Sequence, residues 1–393
     1  MKVYQPKTAR TPIYRDAGFY LEDIPTMKKA FADEHKYSRE PELYIYSRYR
    51  NPNVVEAERM IMGIEQSSWS VLTQSGLAAI DTALSIFQEK DENGKWLFFS
   101  EIYGGTNHYI DNVLVKRRGI NAVRFQPDGD SYSIKKFKEA LAEHQPKLVF
   151  FEPISNPMLI TIDADAYVKV AKDFGAIVII DNTFPTPYLW RPLESGADIV
   201  IHSVTKYLAG HGNISAGVLS GNDASLERAA LEYRKLVGHM LSPDDAARLC
   251  DQLKTFELRM EKHCTNAYTL ANFLNGHNAV EKVLFPGLET HPTHREAFKF
   301  FRGRGYGAMI TFDLAGNSNQ QKSERCNKFV SELKNHIPLV PTLGDVDTIL
   351  MPIEPVWGDK YPFPGMIRLS VGIEDVDDLV DVIGNALNKC IAL

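Results

Sequence analysis

From about residue 53 to 221 the chain repeats one motif: a short apolar run rich in β-branched and aromatic residues, alternating with a longer stretch with helical spacing. The apolar runs fall at 70–73, 96–99, 122–125, 147–151, 176–180 and 198–201. Runs this short and this uniformly apolar predict strands buried on both faces, as in parallel sheets. The intervening stretches, such as 53–62, carry apolar residues on one helical face. Strands alternating with helices predict an α/β fold, a doubly wound and mainly parallel sheet.

The texture changes near residue 240. Helical periodicity dominates 244–255 and 257–274, and then strands at 307–314 and 366–371 mix with helices at 323–335 and 375–387. This predicts a smaller α+β domain. At the other end Pro6, Pro12, Pro25 and Pro41 interrupt any long helix, which predicts an extended arm ordered by packing on another domain or subunit. The expected organisation is an arm over 1–48, a large domain over 49–240 and a C-terminal α+β domain over 241–393. A length of 393 residues agrees with more than one core.

Composition narrows the function. Hydrophobic residues make up 44% and charged residues 24%, so the chain is expected to be globular. A net charge of −6 with no basic stripe speaks against nucleic acid as a partner. No apolar leader and no run of about 18 apolar residues is visible, so a cytoplasmic chain with no membrane contact is expected. Cys250, Cys264, Cys326 and Cys390 are too scattered for a metal or redox motif, and His291 and His294 lack a third ligand; no metal is expected.

Candidate chemistry clusters where the strands end. The run at 198–201 stops in His202-Ser203-Val204-Thr205-Lys206, and ligands of open α/β sheets bind outside the carboxyl ends of the strands. A lysine there is solvated, paired, or held as a Schiff base; the hydroxyls of Ser203 and Thr205 suit a phosphate. The run at 176–180 ends in Asp181-Asn182-Thr183. An acid and a lysine at the ends of consecutive strands match pyridoxal phosphate, although Asp181 alone would equally cap a helix. Gly76 and Leu77 follow strand 70–73 and open a helix, the geometry that aims N–H groups at an anion. Tyr103 stands near a strand end, where it would stack on a planar cofactor or simply pack. Asn156 falls on the same edge. Arg368 lies inside an apolar strand and needs either a substrate carboxylate or an internal acid. Gly303, Gly305 and Gly307 precede a strand instead of opening a helix, so they are no dinucleotide signature. The dense aromatic and arginine stretch 44–52 reads as an interface, a phosphate contact or a surface loop.

Taken together, Tyr46-Ser47-Arg48 with Asn51-Pro52, Ser75-Gly76-Leu77-Ala78-Ala79, Tyr103-Gly104-Gly105-Thr106, Ser155-Asn156-Pro157, Asp181-Asn182-Thr183, Ser203-Val204-Thr205-Lys206-Tyr207 and Ile367-Arg368-Leu369-Ser370 resemble the Cys/Met metabolism family of pyridoxal phosphate enzymes, the cystathionine and methionine γ-lyase type. The resemblance runs nearly end to end and implies the type I pyridoxal-phosphate transferase fold. It implies that Lys206 carries pyridoxal 5'-phosphate, Asp181 with Thr183 serves the ring nitrogen, and Tyr103 stacks on the ring and acts as an acid. Gly76, Leu77, Ser203 and Thr205 would hold the phosphate, joined by Tyr46 and Arg48 of a neighbouring subunit. Asn156, Thr342 and Arg368 would bind the carboxylate of an amino-acid substrate. A homotetramer, a dimer of dimers with shared sites, is implied. Segments 241–247 and 342–345 look nearest to methionine γ-lyases. Departures remain: Gly105 replaces a cysteine of methionine γ-lyases, Ile45 and Pro341 replace acids of cystathionine enzymes, His108 replaces an arginine, and 351–364 leaves the pattern. The expected reaction is γ-elimination, with γ-replacement as the rival and Asp345, Asp347 and Glu354 as candidates to receive a polar or cationic γ-group.

Overall fold

The structure is a computed structural model that describes residues 8–34, 41–90, 92–301 and 303–391. The larger sheet has seven strands: β1 (Trp69–Thr73), β2 (Lys95–Phe99), β3 (Asn121–Phe125), β4 (Leu148–Phe151), β5 (Ile177–Asp181), β6 (Ile199–His202) and β7 (Gly217–Gly221). Their spatial order is β1-β7-β6-β5-β4-β2-β3. Five strands, β6 through β3 in that order, are parallel. Every residue of β1, β4 and β6 is buried, as expected of strands covered on both faces. Each buried Val, Leu, Ile or Phe contributes roughly 1.5–3 kcal/mol, so the strand ends are held on a firm base.

One strand departs from the alternating pattern. β7 follows β6 without a helical crossover and runs antiparallel to both β6 and β1. Being antiparallel to β7, β1 points the same way as the parallel five. The carboxyl ends of β1, β2, β4, β5 and β6 therefore share one edge.

Side-chain caps start the helices that leave this edge. Asn51 caps Pro52–Glu65, with Pro52 in the first turn, and the Ser75 hydroxyl accepts from the Ala78 N–H to open Gly76–Ser85. The segment 103–106, expected to be a tight loop, instead enters a helix, Gly104–Tyr109, which starts after Tyr103 without a side-chain cap. The Asn107 side chain causes this by donating to Ser100 O and Ile102 O at 3.1 and 3.3 Å, which folds the segment back onto the end of β2.

The smaller sheet is antiparallel throughout: β8 (Val280–Leu284), β9 (Met309–Leu314), β10 (Ile349–Pro352) and β11 (Met366–Ser370), in the order β10-β11-β9-β8. Helices Asn319–Leu333 and Val376–Ile391 pack together beside it, and Phe256–Asn275 leads into it from the large sheet. The arm is not wholly extended, since Ile24–Ala32 is a helix capped by Asp23, with Pro25 in its first turn where no N–H is needed. Pro6 lies outside the described residues. The arm is tied down where Tyr14 N–H donates to Asn53 and Asn51 donates to Tyr14 O, at 2.8 and 2.9 Å. No helix among the described residues is long and apolar enough to cross a membrane.

Candidate active site

The edge shared by β1, β4, β5 and β6 opens into a cavity of about 750 Å³ whose opposite wall comes from 341–343, β10, the turn after it and β11. Lys206 lines it. A tight turn after β6, closed by Lys206 N–H donating to Ser203 O at 3.1 Å, sets the lysine there. Its Nζ donates to the Thr342 hydroxyl at 2.6 Å. Burial, with the Arg368 charge adding to it, lowers the amine to about 8, so the uncharged, nucleophilic form becomes the major one above that pH.

Asp181 ends β5 beside it. The Thr183 hydroxyl donates to Asp181 Oδ1 at 2.5 Å and itself accepts the Ser203 N–H at 2.8 Å, tying the ends of β5 and β6 together. Burial pushes the Asp181 carboxyl up; the two Thr183 donors and nearby His202 hold it back. On the β1 side, Gly76 and Leu77 line the cavity with first-turn N–H groups that have no acceptor within their helix. A Cβ on Gly76 would stand 3.0 Å from the Ser203 side chain, so glycine permits this close approach of the helix start to the β6 turn. The Thr205 hydroxyl lines the cavity too, but it donates to Ala216 O at 3.1 Å and accepts Ala216 N–H at 2.9 Å. Its main attachment within the chain is to β7's entry.

Across the cavity, Arg368 donates to Asn156 Oδ1 at 3.0 Å and Thr342 O at 2.9 Å, and Trp357 lies over its guanidinium at 5.7 Å. Neither hydrogen-bond partner carries charge. Burial lowers Arg368 to about 10. The sequence left open an internal acid as its partner; the bonds it makes are to neutral oxygens, which leaves an anion to be supplied by a ligand.

Tyr103 lines the mouth, half exposed. A Cβ on Gly105 would fall 2.4 Å from its ring, so the glycine where methionine γ-lyases have cysteine gives the tyrosine its room. Tyr46 and Arg48 do not line the cavity. Arg48 donates to Lys235 O at 2.7 Å and stacks by Tyr46 and Tyr49 on the surface of its own chain. The acids Asp345, Asp347 and Glu354 are not in the lining either, and from the turn after β10 it is Val356, Trp357 and Lys360 that line the cavity. The acids that do line it are Asp181 and Glu152. Glu152 follows β4 just as Asp181 ends β5, a parallel the sequence displays; the inward turn of Trp357 and Lys360 has no sequence signal.

A nucleophilic amine, a buried carboxylate on the next strand and a glycine-tight helix start form the donor set that pyridoxal phosphate asks for, and the residues present fit it. Fold and site thus suit an α/β enzyme that uses this cofactor. The sequence pattern of the Cys/Met metabolism PLP-dependent enzymes matches residues 2–388, and the chain belongs to that family. It is 34% identical over 395 residues to an L-methionine γ-lyase of Fusobacterium nucleatum subsp. polymorphum, covering 97% of this chain and 94% of the relative. A cystathionine β-lyase of Lactococcus lactis subsp. cremoris is 35% identical over 89% of this chain and 90% of its own. Among solved structures, cystathionine γ-synthase of Xanthomonas oryzae pv. oryzae in complex with cystathionine superposes with a TM-score of 0.83 at 29% identity, covering 97% of this chain and 93% of that one. The metB structure from Corynebacterium glutamicum gives 0.84 at 30% identity, covering 98% and 95%.

Proposed function

We propose that this lyase catalyses γ-elimination on a γ-substituted L-amino acid, a methionine-like thioether or an O-substituted homoserine, including a canavanine-like oxyguanidine. The observation that carries the reading is the convergence of Lys206, Asp181 and Arg368 on one cavity. Lys206 Nζ would hold the cofactor until the substrate's amine displaces it, Asp181 would pair with its ring nitrogen, and Gly76, Leu77, Ser203 and Thr205 would receive its phosphate. When bound, the cofactor supplies an electron sink for negative charge at the substrate's Cα.

Arg368, oriented by Asn156 and the Thr342 carbonyl, binds the α-carboxylate bidentately and so fixes which Cα–H bond meets the lysine. Lys206 Nζ takes the α-proton; the Thr342 hydroxyl, 2.6 Å away, steers it. Loss of a second proton, from Cβ, then supplies the electron pair that expels the γ-group, and the Tyr103 phenol donates a proton to that departing group. Loss of that group and hydrolysis give a 2-oxo acid and ammonia. The wall of Ile102, Pro341, Leu343, Met351 and Trp357 is mostly apolar and accepts a thioether, while His108 and Lys360 offer polar contacts to an oxygen-linked group.

γ-Replacement is the second reading, favoured by the likeness to cystathionine γ-synthase. The assembly we propose is a dimer of dimers in which Tyr46 and Arg48 reach the phosphate of a neighbouring subunit. A panel of methionine, O-acetylhomoserine, canavanine and cystathionine, followed for 2-oxo acid, ammonia and released γ-group, tests the reading. Cystathionine as preferred substrate, or cleavage of β-substituted amino acids alone, overturns it.

A further inference from the structure

β4 and β5 pair in parallel with Phe151 opposite Ile180. The next residue on each strand is an acid, so Glu152 and Asp181 stand side by side at the sheet edge, and both line the cavity. Adjacent strands are about 4.8 Å apart, a spacing at which the buried Asp181 and the half-buried Glu152 beside it are not both ionised without cost. The cations that act on the pair are already engaged. Lys360 Nζ lies 3.2 Å from Glu101, and His202 Nε2 lies 2.8 Å from the buried Glu65.

The two acids receive unequal numbers of hydrogen bonds from the protein. Asp181 Oδ1 takes both the N–H and the hydroxyl of Thr183, at 3.1 and 2.5 Å, and Glu152 Oε1 takes only the Tyr103 N–H at 2.7 Å. Donors favour the ionised form, so the charge settles on Asp181 and the proton on Glu152. We propose that Glu152 and Asp181 form a carboxyl pair that keeps one proton, carried by Glu152, leaving Asp181 as the single negative charge presented to the cofactor's ring nitrogen. Glu152 is then a positioning residue. As a neutral acid it still accepts the Tyr103 N–H and so fixes the start of the helix that carries Tyr103.

Burial and the Asp181 charge both push the Glu152 carboxyl well above the usual range, in agreement. Asp181 is raised as well, and with one proton to share we assign it to the acid with fewer donors. The other ionisable groups around the pair are Lys360, Tyr132, whose phenol feels Glu152, and Glu101, which receives Lys360.

The inference depends on the cofactor site and not on the choice of substrate, so a failed substrate panel leaves it standing. Infrared spectra of the holoenzyme with isotope-labelled glutamate should show a protonated glutamic acid carbonyl band at neutral pH, absent from Glu152→Gln. Glu152→Gln, a neutral mimic, should keep the cofactor dissociation constant within about threefold. In the unaltered holoenzyme the band should persist far above the ordinary glutamate pKa of about 4.3 and vanish only at higher pH. A band lost near that ordinary value, a band unchanged in Glu152→Gln, or a cofactor dissociation constant raised about tenfold or more by Glu152→Gln would overturn the proposal.

Discussion

The two walls of the cavity are built differently. The wall from the seven-stranded sheet consists of strand ends, a capped helix start and a turn tied by Thr183, each fixed by buried apolar strands behind it. The wall from the C-terminal sheet sets Arg368 on a buried strand, but completes itself with the short helix Glu354–Trp357 and the turn Gly358–Lys360. Val356 there is 54% exposed, and Lys360 pairs with Glu101 at 3.2 Å and lies over the Tyr361 ring. Rigid strand ends suit chemistry that needs one geometry. A short, exposed turn suits the part of a site that differs between substrates.

The largest expected effect tests the rigid wall. Lys206→Ala should lower turnover by about 10³-fold or more and abolish borohydride trapping of the cofactor; mass spectrometry of the trapped peptide makes the check. Trapping on another lysine would break the assignment.

Arg368 comes next, where the two walls meet. Arg368→Met should raise KM by about 10²-fold for amino acids while barely altering cofactor content, since charge-assisted bonds contribute roughly 1.5–3 kcal/mol. Equal loss of cofactor and substrate affinity would make Arg368 a structural residue instead. Mixing inactive Arg48→Ala with inactive Lys206→Ala chains should return up to about a quarter of the activity if neighbouring subunits complete each site. Complementation failing in demonstrably mixed oligomers would leave every site self-contained.

Trp357→Ala tests the variable wall. It should change the ranking of thioether against oxygen-linked substrates by about tenfold in kcat/KM, an effect of roughly 1–3 kcal/mol such as pocket contacts supply. A uniform loss across the panel would contradict a role in selection.

The smallest effect is in pH. Lys206 is lowered to about 8, chiefly by burial and further by Arg368. The free amine is the nucleophile, so the rate at which cofactor-free protein takes up cofactor should rise with pH through about 8. In Arg368→Met, with one repulsive charge gone, the midpoint should move upward. The sign for stability follows too: from about 8 to the unfolded lysine value near 10.4, the unfolded chain binds more protons, so this group makes the cofactor-free fold more stable as pH rises. Absorbance stopped-flow and thermal melts across that range check both.

Local pattern was enough for much of the fold. Short apolar runs marked strands because strands buried on both faces leave little choice of residue, and Asp181 and Lys206 were legible because Asp181 directly follows one such run and Lys206 stands in the short polar segment after the next. The helix at Gly104 was not legible, since its start depends on Asn107 reaching back to carbonyls of another segment. The direction of β7 was equally hidden, because pairing partners decide it.

What the sequence determined by itself was the alternating architecture, the cofactor chemistry and the order of its residues along the chain, all carried by local patterns and contiguous motifs. Tertiary structure alone decided that Glu152 stands against Asp181, that Arg368 donates its hydrogen bonds to neutral oxygens, and that Trp357 rather than Asp345, Asp347 or Glu354 lines the cavity. Burial, charge and hydrogen bonding at a site depend on residues brought together from distant positions. Sequence spacing carries no distance between them until the sheets have paired.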